Sequence, residues 1–210
     1  MVYSTDRPRV NLFLIGVNKA GSSWLYYLLD SHPAVFMSDV KELYYFNSDY
    51  PAGLEKYHKH FDFAGDYQYW GEATPTYYRD RTTAERIKEY SPDARILAIV
   101  RDPIQRLHSQ FYFHKQLNLL PEDIALEDAL REDPHLITDS HYERTLPVYE
   151  EIFGKDRCKF ISLENAKSNG EQVWANVQEF LGLRVILFQR VIFVTNNLLF
   201  DSITSPTTCF

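Results

Sequence analysis

Residues 10–29 read VNLFLIGVNKAGSSWLYYLL, and this stretch decides how the rest of the chain is read. Val10–Val17 is short and apolar, broken only by Asn11, and runs straight into a glycine turn, which predicts a buried strand. From Ser22 onward Trp24, Leu25, Leu28 and Leu29 form a helical apolar stripe that His32-Pro33 ends. A strand that delivers a glycine loop to a helix N-terminus points backbone N–H groups at one place, the arrangement that holds an anion. The phosphate loop of nucleoside triphosphatases reads G-x-x-x-x-G-K-S/T. Here Gly16 and Gly21 hold the glycine positions and Ser23 the hydroxyl, but Ser22 stands where the lysine belongs and Lys19 lies inside the loop. A triphosphate would lose its main monovalent counter-charge in such a loop. Lys19 instead suits a shorter donor, one phosphate deep; a degenerate triphosphate loop or a plain glycine turn is the alternative on this stretch alone.

Outward from there, strands and helices alternate. Ala94–Val100, ARILAIV, is the clearest buried strand, with Arg101-Asp102-Pro103 at its carboxyl end and a helix from about Ile104 to Leu117. Tyr69–Ala73 and Cys158–Leu163 read as strands, and Arg81–Tyr90, Glu122–Arg131, His141–Phe153 and Glu171–Leu181 as helices. Val40–Phe46 is a mixed segment, followed by loop-like NSDYPAG. Such alternation predicts a parallel α/β sheet. Ligands of such sheets bind beyond the carboxyl ends of the strands, where both the glycine loop and Arg101 fall.

Arg101 at a strand end offers a planar, always-charged fork for phosphate oxygens, and Ser109, eight residues on, can complete the same site. Pairing of Arg101 with Asp102, or capping of neighbouring carbonyls, is the structural alternative. Two anion sites at adjacent strand ends point to a ligand with phosphates at both of its ends. Glu42, beside Lys41, is a carboxylate near an anion site and so is not there to bind the anion. A base facing the acceptor, or a solvated surface Glu, are its two readings.

The 210 residues predict one domain with a sizeable core. A formal net charge of −7 argues against nucleic acid as partner. Fifteen Tyr and fourteen Phe predict a large aromatic core, with a cleft that stacks a base or apolar acceptor as the alternative. Cys158 and Cys209 make no disulfide framework. No signal-peptide pattern opens the chain and no run approaches the ~20 apolar residues of a membrane helix, so the expectation is a soluble cytoplasmic protein without a membrane span. The seven His lack paired metal spacing, His58 and His60 included. His114 reads as a partly exposed helix histidine or as a secondary acid–base group. Residues 184–210 differ from the rest in carrying one acidic residue and a nearly unbroken apolar run at Val185–Val194. They read as edge strands or as a non-native tail.

Taken in order, Lys-x-Gly-Ser-Ser at 19–23, Lys-Glu-Leu-Tyr-Tyr-Phe at 41–46, Gly-Glu-Ala-Thr-Pro-Thr-Tyr at 71–77 and Val-Arg-Asp-Pro at 100–103 leading to Ser109 resemble the sulfotransferases that use 3′-phosphoadenosine 5′-phosphosulfate (PAPS). The likeness is closest to the heparan sulfate branch and its bacterial relatives. It runs from about Asn11 to Leu183, so residues 1–183 are expected to form the sulfotransferase domain. The resemblance implies a P-loop-like three-layer α/β fold, a central parallel sheet flanked by helices. It places the 5′-phosphosulfate loop on Lys19, Gly21, Ser22, Ser23 and Trp24, the 3′-phosphate site on Arg101 and Ser109, and the general base on Glu42. It implies PAPS as donor, 3′-phosphoadenosine 5′-phosphate (PAP) as product and no metal. A small molecule, lipid, saccharide or peptide is the expected acceptor, chosen by Asn47–Gly65 and Asn118–Ser140. Ala73 departs from the heparan sulfate enzymes, where a lysine usually stands, which implies a different acceptor. A small P-loop nucleotide kinase and a non-catalytic PAP-binding module are the rival readings.

Overall fold

In the computed structural model, residues 9–187 are described; the tail reading therefore lies outside the described residues from 188 on. Five short strands carry the fold: β1 (Leu12–Leu14), β2 (Val35–Met37), β3 (Tyr69–Ala73), β4 (Arg95–Val100) and β5 (Cys158–Ser162). All pair in parallel, in the order β2-β3-β1-β4-β5. The expected parallel α/β sheet is thus observed. Connections leave β1 toward β2 and β3 on one side and then toward β4 and β5 on the other, so the carboxyl end of β1 is the point where strand order reverses. Open α/β sheets bind ligands in the crevice at that point.

The linking helices are α1 (Ser22–Asp30), α2 (Leu54–His58), α3 (Arg81–Tyr90), α4 (Pro103–Gln116), α5 (Leu126–Glu132), α6 (His135–Thr138), α7 (Tyr142–Phe153), α8 (Leu163–Ser168) and α9 (Gly170–Leu181). The expected bounds of α3, α7 and α9 agree to within a residue. Asp80 accepts from the Thr83 N–H and caps α3, and Asp102 accepts from the Gln105 N–H and caps α4. That second contact uses the carboxylate for the helix end rather than for Arg101. β1 is shorter than the expected Val10–Val17. Its ladder nevertheless continues, because the Ile15 and Val17 N–H groups donate to the Leu97 and Ile99 carbonyls.

Alternation along the strands builds two cores. Leu12, Leu14, Leu97 and Ile99 pack under α1 and α9 with Leu25, Leu28, Trp174 and Val177. Phe13, Ile15, Ile96 and Ala98 face the opposite way, onto Phe46, Tyr57, Tyr77, Tyr90 and Tyr149. The aromatic excess is therefore mostly core. Tyr45, Phe46, Tyr57, Tyr77 and Tyr90 interlock at ring-centroid distances of 4.6–6.0 Å, a range suited to edge and stacked contacts. Cys158 is buried and free, its thiol pushed up to about 12 chiefly by that burial. Among the described residues no helix is long and apolar enough to cross a membrane.

Candidate active site

The turn after β1 is built by steric exclusion. A Cβ on Gly16 would lie 2.7 Å from a Tyr78 ring carbon, and one on Gly21 would lie 2.8 Å from Leu163 Cδ1. Gly21 also has φ +97°, a conformation that side chains rarely adopt. It precedes α1 without offering a side-chain cap; the Trp24 N–H donates to its carbonyl at 3.0 Å, and the Ser22 and Ser23 amides at the helix start stay available to an anion. Ser22 is buried at the first helical position.

Lys19 is half-buried in this turn at φ 64°, and its ammonium lies 3.7 Å from the centroid of the Phe113 ring. Burial, and then the charge of Arg101, lower its pKa. Arg101, 82 residues away in sequence, donates from Nη1 to the Lys19 carbonyl at 3.4 Å and from Nη2 to Gln105 Oε1 at 3.4 Å. Its Nε is buried and has no partner among the described residues. Gln105, Ser109 and Phe113 are spaced four apart on α4 and so share one face. One end of that face meets Arg101 and the other meets Lys19, which sets half-buried Ser109 between the two cations.

On the opposite flank, Lys41 donates from Nζ to Ser23 Oγ at 2.5 Å. Burial lowers the Lys41 pKa, and the adjacent Glu42 charge partly offsets this. Glu42 is exposed, with its N–H donating to the Ala73 carbonyl at 2.8 Å and its carboxylate accepting from the Tyr44 hydroxyl. Tyr44 is pushed up to about 12, first by burial and then by its bond to Glu42. Lys19, Glu42 and Tyr44 are three of the four non-glycine residues at positive φ among those described. Strain of this kind concentrates where a side chain must be aimed.

The structure thus brings Lys19, Gly21, Ser22, Ser23, Arg101 and Ser109 around the carboxyl ends of β1 and β4, with Glu42 beside the end of β3. Trp24 lies one residue further along α1, its side chain packed against the aliphatic core. Lys41 and Glu72 stood inside the quoted motifs without a role of their own, and Phe113 was not named. Lys41 had only its place beside Glu42 as a signal, and Phe113 only its four-residue spacing from Ser109. Glu72, on β3, is fully buried. It accepts from the hydroxyls of Tyr57 at 2.8 Å, Thr74 at 2.9 Å and Tyr77 at 3.3 Å. Burial pushes its carboxyl up to about 7 against the pull of these three bonds.

His114 is tied to Gln110 and, at 3.2 Å, to Asp133, away from Glu42's own partners. His58 meets the Tyr90 hydroxyl and His60 meets Asp39. Among the described residues no group of three or more His, Cys, Asp or Glu is placed to hold a metal ion.

Comparison with known proteins matches this arrangement to one family. The chain is 34% identical over 134 residues to the membrane-associated sulfotransferase kil1 of Dictyostelium discoideum, covering 60% of this chain and 28% of that protein. It is 29% identical over 183 residues to human heparan sulfate glucosamine 3-O-sulfotransferase 3B1, covering 83% of this chain and 46% of the relative. The chain therefore spans less than half the length of these curated relatives. A sulfotransferase from Alicyclobacillus acidocaldarius shares the fold at TM-score 0.77 and 24% identity, covering 84% of this chain and 82% of that one. A mouse sulfotransferase complexed with PAP shares it at TM-score 0.62 and 18% identity, covering 86% of this chain and 61% of that one. The family defined by the sulfotransferase domain matches residues 9–203, nearly the whole chain. With its parallel sheet and its glycine turn at the strand-order reversal, this chain belongs to the sulfotransferase family.

Proposed function

We propose that this sulfotransferase moves the sulfuryl group from PAPS to a hydroxyl or amine, with Glu42 as general base and Lys19 stabilising the leaving phosphate. The contact of Arg101 with the Lys19 carbonyl carries this reading, because it joins two cationic sites at neighbouring strand ends into one. A donor with phosphates at both ends matches that spacing of charge. Gly21, the amides and hydroxyls of Ser22 and Ser23, and the start of α1 at Trp24 would hold the 5′-phosphosulfate; Arg101 and Ser109 would hold the 3′-phosphate. Lys19, its charge partly desolvated, would leave the Phe113 ring for the bridging oxygen, where charge develops as the S–O bond breaks. Glu42 takes the proton of the acceptor as its oxygen or nitrogen attacks sulfur in line, and PAP departs.

For the acceptor, a relative named for heparan sulfate favours a saccharide, while Ala73 favours an acceptor less dependent on a cation there. Cavities of about 510 and 480 Å³ lie within residues 43–60 and 121–132. Both overlap the segments expected to choose the acceptor, and we assign acceptor selection to them.

Thermal unfolding with PAP, and separately with ATP plus Mg²⁺, tests the donor. Stabilisation by PAP that survives EDTA supports the reading, and stabilisation by ATP only with Mg²⁺ refutes it in favour of a kinase. Glu42→Gln should reduce PAPS turnover on a panel of alcohols, phenols, amines and saccharides by about 10²–10⁴-fold while PAP binding persists. Undiminished turnover in that variant removes Glu42 as the base.

A further inference from the structure

Glu72 reaches neither of the two cationic sites, yet it is a fully buried carboxylate whose three donors are all hydroxyls. Two of those hydroxyls do a second job. Thr74 Oγ1 accepts from the Tyr44 N–H at 3.5 Å, and Tyr77 Oη accepts from the Phe46 N–H at 3.2 Å. The residue after Glu72 supplies the carbonyl that takes the Glu42 N–H. Segment 42–46 is therefore tied down at alternate residues by groups that converge on Glu72. It needs such ties, since Glu42 and Tyr44 both sit at positive φ.

We propose that Glu72 is the positioning residue of the acceptor side: its carboxylate orients the Thr74 and Tyr77 hydroxyls, which hold segment 42–46 so that Glu42 faces the donor loop. This rests on the reading of Glu42 as the base. An ionised Glu72 accepts from both hydroxyls and leaves their oxygens free to take backbone N–H groups. A protonated Glu72 must itself donate, which turns one hydroxyl around and loosens its hold. The groups facing Glu72 are Tyr57 on α2, Tyr77 after β3, Tyr90 on α3 and Tyr149 on α7. None is a cation that would keep Glu72 ionised at every pH. The acceptor side is thereby sensitive to pH near neutrality, where burial sets the Glu72 carboxyl.

Hydrogen–deuterium exchange on the full chain tests this without any acceptor. Glu72→Gln should speed exchange in residues 41–47 by roughly tenfold, the scale of one lost hydrogen bond. Acceleration in 41–47 should exceed any change in residues 95–100 of β4, which follow the overall stability, and the PAP-induced thermal shift should stay as in the parent. The parent's own protection of 41–47, corrected for intrinsic exchange, should rise from pH 6 to pH 8, and Glu72→Gln should abolish that rise. Unchanged exchange in 41–47, or equal acceleration in β4, overturns the proposal. Should Glu72→Gln fail to fold, Thr74→Val and Tyr77→Phe decide: local acceleration in 41–47 supports the relay and its absence refutes it. Turnover of PAPS should fall roughly 10²-fold in Glu72→Gln with KM for PAPS unchanged, as expected for a misaimed group. Glu42→Gln should leave exchange of 41–47 unaltered, so failure of the base reading shows in turnover alone and failure of the positioning role in exchange.

Discussion

Replacing Glu72 by Gln separates the cost of a buried charge from the worth of the bonds around it. Burial raises the Glu72 carboxyl from 4.5 to about 7, although Tyr57, Thr74 and Tyr77 each pull it down. Between those values the folded chain keeps a proton that the unfolded chain has released. Stability must therefore fall as pH rises through this window, and it levels off above pH 7. The difference is worth about 3 kcal/mol, at roughly 1.4 kcal/mol for each tenfold change in proton affinity. Gln keeps the shape and does not ionise, but its amide turns a donor toward hydroxyls that already donate, a cost of about 1–3 kcal/mol that pH does not alter. At pH 5 the variant should be the less stable protein. By pH 8 the gap should have moved about 3 kcal/mol in the variant's favour, or about 6–12 °C in Tm for a chain of this size. Urea unfolding of both chains at pH 5, 6, 7 and 8 and fixed ionic strength measures it, since carboxylates common to both cancel in the comparison. Parallel stability curves across that range would refute the reasoning.

Three other perturbations probe the donor side. Arg101→Ala should abolish most of the PAP-induced stabilisation, which at 100 times Kd is about 2.7 kcal/mol in the parent; a shift equal to the parent's in thermal unfolding would remove Arg101 from the site. Lys19→Ala should lower kcat by about 10²–10³-fold while PAP affinity falls less, because its charge is most needed as the phosphate leaves; steady-state and equilibrium-binding measurements on one preparation check the split. Gly21→Ala should cost about 1–3 kcal/mol in denaturant unfolding, from the strained φ and the 2.8 Å approach to Leu163. Adding Leu163→Ala should relieve the steric share of that cost and leave the φ share.

Much of the framework is legible in the amino-acid string because its elements are long or sharply punctuated. Arg81–Tyr90 starts after a capping Asp80 and stops at Ser91-Pro92, so both ends are written locally. β2 escaped notice because three residues, Val35–Met37, show no periodicity, and α2 is a five-residue helix just behind the turn-forming Pro51 and Gly53. The donor-side residues stood out as a departure from a familiar loop, with Lys19 displaced and Ser22 in its stead. That Arg101 lies at an adjacent strand end was expected too; its direct contact with the Lys19 carbonyl was not, since it spans 82 residues and exists only because β4 lies beside β1. Glu72 was the hardest to read. Thr74 and Tyr77 stand in its own quoted motif, but nothing in that string shows that Tyr57, 15 residues upstream, closes on it as well.

The strand order also bears on how such a protein can diversify. The three inner strands β3, β1 and β4 are neighbours, and the loops that leave them carry Thr74, Lys19 and Arg101. The chain between these strands loops out at residues 47–65, and the stretch after α4 at residues 118–140 never enters the sheet. Under the proposed reaction, the exposed parts of those two excursions can lengthen, shrink or be exchanged, provided Tyr57 stays on Glu72 and Ser140 on Arg106. A chimera carrying those parts from another member of the family would then change what is sulfated and leave untouched how the donor is held.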